Sequence, residues 1–74
     1  MKFSLVNIVA ETKTDITGVW VQNHVGTLKS ATERACAIEH ANNYRVKIAV
    51  VEDLNYSEPN YSYRTGLKRL DRQY

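Results

Sequence analysis

Residues 3–10, FSLVNIVA, are apolar on both of the sets that alternate along a strand: Phe3, Leu5 and Val9 on one, Val6, Ile8 and Ala10 on the other. Rich in β-branched residues, the stretch reads as a strand with cover on both sides. In a chain of 74 residues that is a demanding element, because a domain this short hides only about 60% of the surface its unfolded form exposes. Small scaffolds usually recruit a disulfide, a metal or a partner chain. Cys36 is the only cysteine, so no internal disulfide forms. Structural zinc takes four Cys or His ligands, and the chain has three, His24, Cys36 and His40. No metal and no cofactor are expected, and self-association remains.

The rest of the chain supplies one helix and further strands. After the polar ETKTDIT, Gly18 to Val25 alternates Val19, Val21 and Val25 against Trp20, Gln22 and His24, a half-buried strand joined to the first as an antiparallel hairpin. Gly26 breaks it. Ser30 and Glu33 spell a capping box, with Thr27 as the competing cap. Leu28, Ala31, Ala35, Ile38 and Asn42 then recur at three- and four-residue steps, a stripe of mostly small side chains that lets a helix sit close to a sheet. ANN ends that helix, since asparagine tolerates the left-handed conformation. Tyr44 to Glu52 alternates again, with Val46, Ile48 and Val50 on one set and Arg45, Lys47 and Ala49 on the other. Tyr61 to Leu67 is a weaker strand, and residues 68–74 read as a frayed basic tail. The expected fold is therefore a single α+β domain over 1–74, in β-β-α-β-β order. One helix packs on one face of an antiparallel sheet of three or four strands.

Counting layers gives the functional expectation. One helix covers one sheet face and leaves the other open. If Val19, Val21, Val46, Ile48 and Val50 face the helix, alternation puts Trp20, Gln22, His24, Arg45, Lys47 and Ala49 on the open face, with Tyr61 and Tyr63 joining from the last strand. Tryptophan, tyrosine and arginine are enriched at binding hot spots. The expected function is thus a small non-enzymatic binding protein that meets a protein partner or forms a homodimer through Trp20, Gln22, His24, Arg45, Lys47, Tyr61, Tyr63 and Arg64. An accessory or inhibitor role in a mobile element fits such a protein. On this placement Trp20→Ala leaves the fold standing. The alternative is a nucleic-acid-binding domain using the same face plus the basic tail. A formal charge of +2 and the acids Glu52, Asp53, Glu58 and Asp71 dilute it.

Glu33, Cys36 and His40 share a helix flank with Lys29 but lack the pocket and oxyanion donors of a Cys–His nucleophile. No enzyme is expected. The start MKFSLVNIVAE turns polar before a signal-peptide core is complete, and no segment approaches the roughly 20 apolar residues of a membrane span. A cytoplasmic protein is expected, in which the sequons Asn55-Tyr56-Ser57 and Asn60-Tyr61-Ser62 stay unmodified.

Overall fold

The computed structural model describes residues 1–12, 15–52 and 69–70, together with the backbone of 62–67. Its elements are β1 (Lys2–Glu11), β2 (Ile16–Val25), α1 (Leu28–Ala41), β3 (Ile48–Glu52) and β4 (Ser62–Leu67). All neighbours pair antiparallel, in the order β3-β1-β2-β4. This is the α+β fold expected from the sequence. Among the described residues no helix is long and apolar enough to cross a membrane.

β1 lies between two strands, which explains its composition. Phe3, Leu5 and Val6 are buried, as is Ser4, while Val9 and Ala10 near its end are exposed. The helix begins one cap earlier than the serine box implies. Gly26 turns the chain at φ 153 and leaves Thr27 extended as N-cap. Its hydroxyl accepts from the Ser30 N–H at 3.1 Å, and Ser30 Oγ accepts from the Thr27 N–H at 3.0 Å. At the other end Asn43 (φ 56) is left-handed as expected, and Tyr44 (φ 59) is left-handed too. The Tyr44 N–H bonds Glu39 O at 2.8 Å and the Asn43 N–H bonds His40 O at 3.0 Å, a Schellman closure. Because Tyr44 belongs to that closure, β3 starts at Ile48 rather than at Tyr44.

The helix packs on β3 and β1. Ala31 and Ala35 are buried against Phe3, Leu5, Ile48 and Val50, with Val21, Ile38 and Val46 around them. Val21, Val46, Ile48 and Val50 thus meet the helix as the alternation implied. Val19 does not: it is 43% exposed.

The other face is not bare. Val6, Ile16, Ala49 and Val51 form a second buried cluster, with Ile8 and Trp20 packed against it. The layer count fails because it assumes a flat sheet. Ile8 N–H bonds Lys47 O at 2.8 Å, so in this register the Val50 N–H and C=O point away from β1. The Leu70 N–H bonds that outward Val50 carbonyl at 2.8 Å, while Leu67 pairs with Ile16 of β2. In a flat sheet, the positions of β4 and of a segment outside β3 lie four spacings apart, about 19 Å. Three residues span at most about 11 Å. The sheet must therefore curl until its edges approach. Bulges in β1–β2 pairing, between Leu5 and Val6 and between Ile8 and Ala10, supply the bending that curling needs. The helix sits outside the curl and the second cluster inside it.

Candidate binding surface

The bulge at Leu5/Val6 shifts the phase of β2. Leu5 pairs with Gln22 and Phe3 with His24, whereas Val6 pairs with Trp20. Residues directly opposite share a face, so Gln22 and His24 lie on the helix side and Trp20 on the inner side. The surface expected to gather Trp20, Gln22 and His24 is split. Trp20 is half-buried, and its Nε1–H donates to Asn23 Oδ1 at 2.9 Å, an oxygen that also accepts from Ser4 Oγ at 3.3 Å. His24 Nε2 lies 2.8 Å from Ser30 Oγ. That hydroxyl is already engaged with the Thr27 backbone, which makes the Ser–His pair part of the cap.

Arg45 and Lys47 do come together. With Tyr44 and Val46 they line one side of a shallow cleft of about 570 Å³ whose other side is Asn7, Ile8 and Glu39. Tyr44 is 70% exposed. Its hydroxyl lies 3.1 Å from His40 Nδ1, and the two rings meet edge-on at 5.6 Å. Asn7 also pairs with Val19 across β1–β2, which puts Val19 on the same sheet face as Asn7. Val9, two residues along β1 from Asn7, is 70% exposed. Tyr63 pairs with Gly18 and Arg64 follows it in β4. Their side chains, and the whole of Tyr61, lie outside the described residues. Glu33, Cys36 and His40 are exposed along the helix flank. Among the described residues no group of three His, Cys, Asp or Glu is placed to hold a metal.

No family model, curated protein or solved structure matches the chain. The surface has to be read from its own chemistry.

Sequence reasoning missed Glu39. Its carboxylate is buried and Oε2 accepts the Ile48 N–H at 2.8 Å, sealing a donor on the outer edge of β3. The signal was available, since Ala31, Ala35 and Glu39 form one i, i+4 row. Also missed was Glu11, which accepts from Lys47 Nζ at 3.0 Å and from Arg69 Nη1 at 3.3 Å. The hydrogen bond from Lys47 is the largest influence on the Glu11 carboxyl; burial opposes it, and with the added hydrogen bond from Arg69 and the charges of both cations the group stays below its ordinary value of about 4.5. A lowered folded value stabilises the protein above the unfolded carboxylate range, and the gain disappears as pH falls through the folded value. Thermal denaturation of wild type and Glu11→Gln is therefore expected to show wild type ahead at pH 6 and the gap narrowing as the pH falls below the ordinary carboxylate range.

Proposed function

We propose that this is a small non-enzymatic binding protein that makes a protein–protein contact through the outer sheet surface beside the C-terminal end of α1. The observation that carries the reading is that α1 packs chiefly on β3 and β1 and meets β2 at Val21 and His24, while Val19 and Val9 stay exposed on the strands beside the cleft of Tyr44, Arg45 and Lys47. The exposed valines supply an apolar patch, and the tyrosine and arginine beside it are residue types enriched at protein interfaces. A rigid sheet also presents them at little entropic cost. A second copy of the chain is the simplest partner.

The nucleic-acid reading draws less support. Of the cations it would use, Lys47 and Arg69 are both bound to Glu11, and phosphates would have to displace that carboxylate. Sedimentation at several concentrations, with and without mixed nucleic acid, tests the two together. The expected result is a mass that rises with protein concentration and responds little to salt, and that Val19→Glu holds at the monomer value with an unchanged circular dichroism spectrum. A constant monomer mass, with gain only on adding nucleic acid and loss of that gain at high salt, would overturn the proposal.

A further inference from the structure

The outer edge of β3 raises a separate question from the surface beside α1. An edge strand presents backbone groups that invite another strand, and folded proteins cover such edges. Here the cover comes from two different sources. Glu39, on the helix, takes the Ile48 N–H. The chain's own end takes the acceptors: Arg69 Nη2 donates to Ile48 O at 3.0 Å and the Leu70 N–H to Val50 O at 2.8 Å. The same guanidinium reaches Glu11 Oε1, and its side chain is only 6% exposed. Glu11 in turn faces Lys47, the other cation at this site.

This is the pattern of a peptide in a strand-addition site. One backbone N–H pairs with the edge, and one side chain enters a pocket of matching charge. The specificity lies in the arginine, because a planar guanidinium serves a carboxylate and a carbonyl at once where an ammonium offers only a point charge. Leu70 remains 38% exposed, so the following residue adds its backbone bond and little burial. We propose that Glu11, Ile48 and Val50 form a receptor for an extended segment carrying arginine followed by an apolar residue, filled in cis by Arg69-Leu70 and open in trans to the same segment of a second copy. A tethered segment competes at an effective concentration in the millimolar range. At micromolar protein the site is therefore self-occupied, and exchange follows only when the cis contact is lost.

The probe is a fluorescent peptide of residues 67–74, LKRLDRQY, titrated against full-length chains by anisotropy. Arg69→Ala empties the receptor and is expected to bind the peptide at least tenfold more tightly than wild type. A peptide bearing the same Arg69→Ala change is expected to bind at least tenfold more weakly, and adding Glu11→Gln to the emptied chain should cost several-fold. Equal binding by wild type and Arg69→Ala, or indifference to the peptide's arginine, would sink the proposal. If Arg69→Ala does not fold alone, recovery of its circular dichroism spectrum on adding the wild-type peptide supports the receptor, and no recovery overturns it. None of these readouts involves Val19, so this site and the surface beside α1 stand or fall separately.

Discussion

Trp20→Ala is expected to lower the free energy of unfolding by about 3 kcal/mol, the low end of the range for removing a large aromatic from a core. The indole sits against Val6, Ile16, Ala49 and Val51 inside the curl, where no other described element supplies a side chain of comparable volume. Truncation leaves a cavity that a sheet held in its curl closes only in part. It also takes one donor from Asn23 Oδ1, which keeps Ser4. A domain of this length has a total stability of about 4–11 kcal/mol, so a loss of this size removes a large fraction of it. The urea midpoint, followed by circular dichroism because the variant has no tryptophan left to report, should fall by about 2–3 M. Trp20→Phe keeps most of the packing and loses the hydrogen bond, for an expected cost nearer 1 kcal/mol. A Trp20→Ala variant within about 0.5 kcal/mol of wild type would mean that the ring is a surface group after all, as an open sheet face requires.

That outcome separates what alternation can reveal from what it cannot. The two-sided burial of β1 was legible in FSLVNIVA. So was the close approach of the helix, written in Ala31 and Ala35, and so were the helix-facing positions of Ile48 and Val50. Each of these depends on the residue's own spacing. The phase of β2 is different. It depends on a bulge opposite Leu5 and Val6, and one extra residue moves every later side chain to the other face. Nothing in GVWVQNHV marks where that residue falls, so Trp20, Gln22 and His24 look like one surface. Curvature was equally hidden. Local pattern puts Ile16 in a polar connection and Arg69 in a tail, yet Ile16 belongs to the inner cluster and Arg69 to the closing contact. Both act across long sequence separations, which local patterns do not register. The site fared accordingly. Arg45 and Lys47 do share a surface, and its neighbours Asn7, Val9 and Val19 became visible only with the register.

Gly18→Ala tests the close approach of β1 and β2, and it is expected to cost about 2 kcal/mol, within the range for overpacking. The sequence alone starts the second strand at Gly18. It lies instead within β2, opposite Ile8 and next to Tyr63 of β4. A β-carbon there would collide with the Val6 side chain and with the Asn7 carbonyl. The two collisions have different remedies. Val6 can turn about its own bond, at some expense to the inner cluster, but a backbone carbonyl held in a ladder moves only with its strand. Val6→Ala combined with Gly18→Ala should therefore relieve the first clash and not the second. In a double-mutant cycle the pair is expected to be less destabilised than the sum of the singles, by about 0.5–1 kcal/mol, while remaining well below Val6→Ala alone. Additivity would remove Val6 from the contact. A neutral Gly18→Ala would show that β1 and β2 pass there with room to spare for a β-carbon.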